Sequence, residues 1–406
     1  MDEKQYIRDL AKKYAECAIS QDQEKKRALW RDHYDFQGTR PLLVTSNYLL
    51  HDFFNDHDRQ VCSDEYLRKW EIQLRRTLLN IEFRDDSVFK PWFQINAVRE
   101  GSDDRWGLPV RMGVAKAAKG ARPFYPSLVH EDDFYKMVAR PHRIDEVKTN
   151  QEIERAADLF DGILPVAVDR GPLYISFGGD ISTDITMMRG MEQLMLDMYD
   201  RPEWLHKVLA FMRDAILKNH DEAEAAGDFS SISQHTQEMP YSNRTADPKI
   251  NDYNRKRKEL WLFMAAQEFT LMSPDLFNEF MLEYQIPIMN HYACVAYGCC
   301  ENLTDKIIHL KKIKNLKQIA VTPWADPEAC ARQIGNQYIV SWRPNPALII
   351  SDSLDEGFVR KHVREHMKIF ERYGCSININ IKDVMRYGCK ENLIKLNRVI
   401  MEEISS

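Results

Sequence analysis

Short apolar segments that alternate with amphipathic helices limit most strongly what this chain can fold into. After residue 85 the predicted strands are residues 88–95, 173–177, 229–233, 294–297, 318–321, 338–342 and 376–381. Strands that are apolar almost throughout are typical of a parallel sheet, because helices cover both of its faces. The alternation therefore predicts an α/β fold with a parallel sheet.

A closed barrel explains the predicted strands better than an open sheet does. With residues 41–46 (PLLVTS) the prediction reaches eight strands over about 340 residues, the size of an elaborated (β/α)₈ TIM barrel. The alternative is a doubly wound open sheet, but no G-x-G-x-x-G follows the early strands and no Walker A sequence occurs. We expect a (β/α)₈ barrel over residues 86–406 and an N-terminal helical segment, residues 1–85, that packs on it.

Composition and charge argue against several classes of protein. Hydrophobic residues make up 44% and charged residues 29% of the chain, as in soluble globular proteins. The net charge of -6 and the scattered basic residues argue against a nucleic-acid partner, and no apolar run reaches the ~20 residues that cross a membrane. The charged N-terminus is unlike a secretory signal, and eight cysteines in so long a chain do not suggest a disulfide framework. We expect a cytoplasmic protein with free thiols.

Polar residues directly after the predicted strands form the candidate site, because barrel enzymes carry out their chemistry at the carboxyl ends of the strands. The segment VAYGCCEN (residues 295–302) lies at such an end and holds two adjacent cysteines and a glutamate. Cys299 and Cys300 are equally well explained as small buried hydrophobic residues. Glu301 could likewise cap the helix that follows.

Two further residues stand out for their surroundings. Glu268 interrupts the apolar run LWLFMAAQEFTLMSP, where a carboxylate is costly unless it is paired or liganded. Arg343 follows a predicted strand in a loop stiffened by two prolines, and it could grip a carboxylate or phosphate. An ion pair of Arg343 with Asp326 or Asp383 is the equally plausible structural explanation.

Three stretches resemble the uroporphyrinogen decarboxylase superfamily, a family of barrel enzymes. They are GPLYISFGGDISTDITMMRGMEQLMLDMYDRPEWLHKVLAFM, SPDLFNEFMLEYQIPIM and SININIKDVMRYGCKENLIKL. The first contains G-x-E-x-x-x-x-D-x-x-x-x-P-E, from Gly190 to Glu203. The resemblance covers most of the chain from about Pro91 onward. It implies a barrel with one of two chemistries, cofactor-free decarboxylation in haem synthesis or zinc-dependent methyl transfer with corrinoid proteins.

The methyltransferase branch is the more similar of the two. TRPLLVTSNYLLHD lacks the arginine-rich motif of the decarboxylase, and Ile381-Lys382-Asp383 replaces its Gly-His-Gly turn. The methyltransferases place His-x-Cys where this chain has Gly298-Cys299-Cys300, so that Cys300, and not Cys299, matches the ligand position. YGCCE, TPWAD and RPNPA resemble the methyl-donor components of corrinoid-dependent demethylase systems.

The resemblance therefore implies a methyltransferase that moves a methyl group from a small methoxylated, aromatic compound, or a methylated one, to a corrinoid protein, as in O-demethylation. A zinc ion would activate the leaving group, the partner would carry cobalamin, and a homodimer is expected by resemblance. The predicted site residues are His235, Cys300 and Glu301 for the metal, Glu268, Arg343 and Asp383 for catalysis, and Trp92, Tyr241, Trp324 and Lys382 for the substrate.

Two other hypotheses stay open at this point. One is a metal-free decarboxylase or lyase on the same barrel, which would use Arg343, Lys382 and Asp383. The other is a barrel without catalysis that binds or senses a ligand.

Overall fold

Parallel strands dominate the computed structural model, which describes residues 2–46, 60–101, 104–109, 111–114, 123–349, 354–382 and 390–405. In chain order the strands of this part are β1 (Leu42–Thr45), β2 (Phe93–Asn96), β3 (Arg111–Met112), β4 (Phe124–Tyr125), β5 (Val166–Asp169), β6 (Trp261–Met264), β7 (Cys294–Tyr297), β8 (Leu316–Val321), β9 (Ile339–Trp342) and β10 (Ser376–Ile381).

Six of these strands form one sheet in the order β1-β10-β9-β8-β7-β6, and every neighbouring pair is parallel. Their residues are buried almost without exception, as expected of parallel strands with both faces covered. The strands β2 and β5 form a separate parallel pair, and β3 and β4 form a short antiparallel hairpin.

The closed barrel predicted from the sequence is not formed by the strands of the described residues. The six-stranded sheet curls into a half-barrel, and no ladder joins β1 to β2 or β5 to β6 within that part of the chain. Irregular segments lie beside the two edge strands instead. Asp86 N–H donates to the Leu43 carbonyl at 2.8 Å, and His235 N–H donates to the Trp261 carbonyl at 3.5 Å.

The prediction of single strands was correct where the segment was apolar and bounded by turns. The strands predicted at 294–297, 318–321, 338–342 and 376–381 are confirmed, and the strand predicted at 88–95 overlaps β2 only at residues 93–95. The predictions at 173–177 and 229–233 were wrong, because the first runs into a 3₁₀ turn at Ser176–Gly178 and the second makes no ladder. In the second, the N–H groups of Ser231 and Ser233 donate to the loop carbonyls of Asp252 and Ser230.

Helices surround the strands. In the described residues they are α1 (Glu3–Ala18), α2 (Gln21–Tyr34), α3 (Glu65–Phe83), α4 (Glu146–Phe160), α5 (Ser182–Arg189), α6 (Met191–Asp200), α7 (Pro202–Ala226), α8 (Pro274–Phe277), α9 (Glu283–Met289), α10 (Ile307–Leu310), α11 (Pro327–Ile334), α12 (Pro346–Ile349), α13 (Glu356–Arg372) and α14 (Lys390–Ser405). A π-helical turn, Asn278–Leu282, joins α8 to α9.

Helix ends follow the residues that the sequence offers for them. Ser273 accepts a hydrogen bond from Leu276 N–H at 3.2 Å, and Pro274 begins α8, where its missing N–H costs nothing. Gly227 ends α7 with a φ of +77°, which glycine adopts without strain. No helix of the described residues is long and apolar enough to cross a lipid bilayer.

The helix α2 closes the amino-terminal end of the sheet. Trp30 and Tyr34 pack against the first residues of four strands, which are Leu42, Trp261, Cys294 and Ile339. A second apolar cluster joins α1, α3 and α4 to Phe93 of β2. Because the amino end is filled by these side chains, the chemistry of the fold is left to the opposite, carboxyl end of the strands. The division of the chain at residue 85 stays a prediction.

Candidate active site

Cys299 and Lys382 meet at the carboxyl end of the six-stranded sheet. Cys299 follows β7 after a single glycine, and Lys382 directly follows β10. The Nζ of Lys382 donates to the Sγ of Cys299 at 3.2 Å and to the Oε1 of Gln237 at 3.4 Å. The parallel strands thus bring a thiol and an ammonium group into direct contact.

The surroundings of Cys299 favour its thiolate. A hydrogen bond from Cys300, whose Sγ lies 3.6 Å away, and the positive charges of Arg343 and Lys382 lower the pKa of Cys299 to about 6, although burial opposes the shift. A thiol with this pKa is mostly ionised at neutral pH. Cys299 is 3% exposed, whereas Cys300 is exposed.

Arg343 supplies a second cation at the same place. It directly follows β9 and is 3% exposed. Its Nη2 donates to the carbonyl of Gly298 at 3.1 Å, while its Nε and Nη1 are buried without an acceptor among the described residues. A buried guanidinium with unused donors is suited to bind an oxyanion, because each free N–H can donate a charge-assisted hydrogen bond.

Gly298 occupies the position at which the resemblance to the methyltransferase branch would place a histidine. Its φ is +104°, and a Cβ built there would lie 2.7 Å from the Cδ1 of Leu303 and 2.8 Å from the Cβ of Ala320. Both the backbone angle and the contacts exclude a side chain in this conformation. The packing of Leu303 and Ala320 at the end of β7 therefore leaves no room for a histidine side chain at position 298.

Glu301 acts as a brace between two strand ends. It is fully buried, and its carboxylate accepts hydrogen bonds from Ala266 N–H at 2.9 Å and Cys299 N–H at 2.7 Å. These bonds join the segments after β6 and β7. Glu301 was predicted to be a helix cap or a metal ligand. The contacts of its carboxylate are instead with the backbone N–H groups of Ala266 and Cys299.

Glu238 is a buried carboxylate on the inner face of the sheet. It is 5% exposed and accepts hydrogen bonds from Gln318 of β8, from the Ser341 hydroxyl of β9 at 2.5 Å and from the Asn380 amide of β10 at 2.8 Å. Three neutral donors on three strands thus satisfy one carboxylate. They hold residues 233–238 against the sheet, including Gln237, which contacts Lys382.

His235 lies at the other end of the same segment. Burial lowers its pKa, so that the ring is neutral near pH 7, and the charged groups that act on it are Asp169, Lys90 and Arg99. These groups belong to β5 and to the residues around β2. His235 therefore lies near β5 and the residues around β2. Cys300 is not among the charged groups that shift its pKa.

Glu268 is paired with hydroxyl groups at the start of α5. Its carboxylate accepts hydrogen bonds from the Ser182 hydroxyl at 2.6 Å and the Thr183 hydroxyl at 3.3 Å. Burial, and then the negative charge of Glu268, hold the pKa of nearby Asp180 well above its usual range. These bonds explain how a carboxylate is tolerated in an apolar run, and a catalytic role of Glu268 stays a prediction.

The aromatic residues predicted to bind the substrate lie in three different environments. Trp324 is 73% exposed after β8. Tyr241 is 2% exposed in the cluster at the amino end of the sheet, with the Arg27 guanidinium over its ring. Trp92 is buried and lines a cavity beside β2. The structure does not bring the three together, and Asp383 lies outside the described residues.

The three residues predicted as zinc ligands do not form a ligand set. Both oxygens of Glu301 accept backbone N–H groups, and His235 belongs to the surroundings of Asp169. Within the described part of the chain, no group of three His, Cys, Asp or Glu side chains is placed to hold a metal ion. Zinc stays a prediction from the resemblance, and no chemical step is derived through it.

Cys299 is the site residue that the sequence did not single out. The family pattern favoured Cys300, because it matches the cysteine of His-x-Cys. The structure places Cys299 against Lys382 and leaves Cys300 exposed, since the turn at Gly298 directs the first thiol inward. The sequence pattern alone does not show which of two adjacent cysteines points into the protein.

Comparisons with known proteins found distant similarity among the solved structures. No family model and no curated protein matches the chain. Among solved structures the chain is similar to a methyltransferase from Methanosarcina mazei, with 11% sequence identity and a TM-score of 0.46. The match covers 93% of this chain and 98% of that chain. At this identity the match assigns no activity to the chain.

Proposed function

We propose that the protein is a methyltransferase that removes a methyl group from a small methoxylated or methylated compound, with a corrinoid protein as the acceptor. The observation that carries the proposal is the contact of Lys382 with the Cys299 thiolate beside the buried guanidinium of Arg343. The resemblance of YGCCE, TPWAD and RPNPA to methyl-donor components supports the same reaction.

The corrinoid of the partner would supply the nucleophile for the methyl carbon. As the bond between that carbon and its oxygen breaks, the electron pair stays on the oxygen, which becomes negative. Fixed donors aimed at such a charge stabilise it most where water is excluded. The role of this chain is therefore to bind the leaving oxygen and to give it a proton.

Lys382 is placed to be the proton donor. Its ammonium group lies between the Cys299 thiolate and the Gln237 amide, which orient it. A lysine in this position can transfer a proton to the leaving oxygen as the bond breaks. Cys299 acts through Lys382 in this mechanism, so that it is a positioning residue.

Arg343 would bind the oxygen or a carboxylate of the substrate. Its Nε and Nη1 are the buried donors without an acceptor in the described residues, and its third nitrogen is held by the Gly298 carbonyl. The bond to Gly298 fixes the plane of the guanidinium. The substrate would thus meet two N–H groups of fixed direction.

The reaction is tested with free cob(I)alamin as the methyl acceptor under anaerobic conditions. Methoxybenzenes, methoxybenzoates and methylamines are offered in turn, and the absorbance change on methylation of the corrinoid is followed. We expect turnover with at least one of these compounds. Lys382→Met should lower kcat/KM by ~100-fold or more, as the loss of a general acid does. Arg343→Lys should lower it by ~10- to 100-fold, because a lysine ammonium does not reproduce the fixed directions of the guanidinium donors.

Lys13→Met is the matched control, since Lys13 is exposed on α1, and it should leave kcat/KM unchanged. Failure of the whole set of compounds to methylate cob(I)alamin, with a folded enzyme, would argue against methyl transfer. Release of carbon dioxide without any corrinoid would replace the proposal with the decarboxylase hypothesis.

A further inference from the structure

A cavity of about 410 Å³ lies beside β2, and it is separate from the residues of the proposed reaction. Its walls are Tyr14, Gln73, Leu74, Thr77, Lys90, Trp92, Phe93, Gln94 and Asn96. Cavities of this size commonly hold small organic ligands. Cys299, Arg343 and Lys382 do not line it.

The described lining of this cavity carries one positive charge, that of Lys90. Burial lowers the pKa of Lys90 and of Arg99, and the one carboxylate that acts on both is Asp169. That carboxylate already accepts hydrogen bonds from the Ser233 hydroxyl at 2.7 Å and from Gly171 N–H at 2.9 Å. His235 adds no charge near pH 7, because burial lowers its pKa. Among the described residues that line the cavity, Lys90 is the only one with a charged side chain, whereas Arg99 and Asp169 lie outside the lining.

Two polar groups at the cavity, the ammonium of Lys90 and the indole N–H of Trp92, have no acceptor among the described residues, and a ligand could supply one. No ion pair joins Lys90 to any described residue, and its Nζ lies 5.9 Å from the centre of the Trp92 ring. Trp92 is 6% exposed, and its indole N–H is buried without an acceptor in the described part of the chain. Lys90, Trp92, Gln94 and Asn96 all line the cavity, in β2 and directly before it.

We propose that this cavity binds a small organic carboxylate with a flat, apolar body. The carboxylate group would lie against Lys90 and the indole N–H of Trp92, and the body would lie against Tyr14 and Leu74. A monoanion matches the single positive charge that Lys90 brings to the described lining, whereas a phosphate dianion would exceed it. Uncompensated buried charge is costly, so that the ligand completes an arrangement that the protein leaves open.

The proposal concerns binding alone and does not depend on methyl transfer. Titration calorimetry at pH 7 without any corrinoid compares 4-methoxybenzoate with anisole, its analogue without a carboxylate. Because Arg343 is proposed to bind the carboxylate of the same compound, the titration is repeated in Arg343→Lys. We expect the saturable site of the cavity to persist in that variant, with at least tenfold tighter binding of 4-methoxybenzoate than of anisole. The absence of saturable binding, or equal affinity for anisole, would overturn the proposal.

Variants locate the site. Lys90→Met should weaken the binding of 4-methoxybenzoate at least tenfold, and Trp92→Phe should weaken it several-fold. Lys13→Met, at an exposed position of α1, should leave it unchanged. A loss in Lys382→Met with full affinity in Lys90→Met would assign the carboxylate to the strand ends and refute the cavity.

Thermal unfolding separates binding from a structural role of Lys90. Methionine removes a poorly solvated ammonium group, so that Lys90→Met should keep or raise the Tm of the free protein while affinity falls. A drop of several degrees in Tm with unchanged affinity would show that Lys90 serves the fold and not a ligand.

Discussion

The Nζ of Lys382 lies 3.2 Å from the Sγ of Cys299, although 83 residues separate them in the chain. The contact exists because β7 and β10 end at the same edge of a parallel sheet. A cation at this distance favours a thiolate over a thiol. The consequence is a cysteine whose reactivity depends on a residue from another strand.

The reactivity of Cys299 should depend on pH in a way that identifies this contact. The pKa of Cys299 is lowered to about 6, and the thiolate is the reactive form. The rate of alkylation by iodoacetamide should therefore rise as the pH increases through about 6 and then level off. Lys382→Met should move the midpoint upward by ~1 unit. The modified peptides are identified by mass spectrometry.

Cys294 is the control for that experiment, because burial raises the pKa of its thiol to about 11. It should stay unmodified over the same pH range. A midpoint for Cys299 near ~8.5, the value of a free cysteine, would mean that the ammonium does not stabilise the thiolate.

Glu301→Gln should destabilise the fold. The amide keeps one acceptor oxygen and places an NH₂ group where an N–H of Ala266 or Cys299 now donates. The variant loses the buried negative charge, and its NH₂ group faces a backbone N–H, so that two donors point at each other. Together these changes should lower the free energy of unfolding by ~2–4 kcal/mol. Urea denaturation measures the change. Glu16→Gln, on the exposed face of α1, should alter stability by less than ~0.5 kcal/mol, and an equally small effect at Glu301 would contradict its role as a brace.

Gly298→Ala should separate backbone strain from steric contact. Gly162 has a similar requirement, with a φ of +72°, but a Cβ there would meet nothing within 4 Å. Gly162→Ala should therefore cost ~1–2 kcal/mol for the left-handed conformation alone. Gly298→Ala should cost a further ~1–3 kcal/mol because its Cβ meets Leu303 and Ala320. Equal costs in urea denaturation would show that the neighbours move aside freely.

His220 should make the fold sensitive to acid. The ring is buried between the Tyr174 carbonyl, at 2.6 Å from Nε2, and the Tyr292 hydroxyl, at 3.1 Å from Nδ1, and burial lowers its pKa to about 4. An unfolded histidine has a pKa of ~6.5. Between these values the unfolded state binds a proton that the folded state excludes. The free energy of unfolding should therefore fall as the pH drops from ~6.5 to ~4, by up to ~3 kcal/mol.

The variant His220→Gln isolates this contribution. Its stability difference from the parent protein should shrink between pH 7 and pH 4, as measured by urea denaturation. Asp85 acts in the opposite direction, because burial raises its pKa to about 6, but it is present in both proteins and cancels. A stability difference that is constant with pH would exclude His220 as the titrating group, and His291→Gln, at an exposed position, serves as the control.

The sequence was sufficient to locate the strand ends but not the contacts between them. CVAY and SININI are short apolar segments bounded by turn residues, so that β7 and β10 could be predicted. The approach of Lys382 to Cys299 depends on the register of four neighbouring strands, which no local pattern encodes. The choice of Cys299 over Cys300 depends on one backbone angle, the φ of Gly298.

A closed barrel was predicted because eight strands were counted in the sequence. Two of the predicted strands are not formed in the described residues, and the count was therefore misleading. Residues 229–233 are apolar enough for a strand, but the N–H groups of Ser231 and Ser233 donate hydrogen bonds to loop carbonyls and not to a neighbouring strand. Serine-rich segments have such local alternatives to a ladder. The β5 strand, VAVD, was not predicted, although it is as short as β7.

Gly298 also changes how relatives of this chain should be aligned. A histidine could return to this position only if Leu303 and Ala320 became smaller or moved, since both now occupy the space of its Cβ. The three residues therefore form a coupled set that evolution must exchange together. A comparison that scores position 298 alone would record only a glycine, whereas covariation among positions 298, 303 and 320 would test whether the three positions change together.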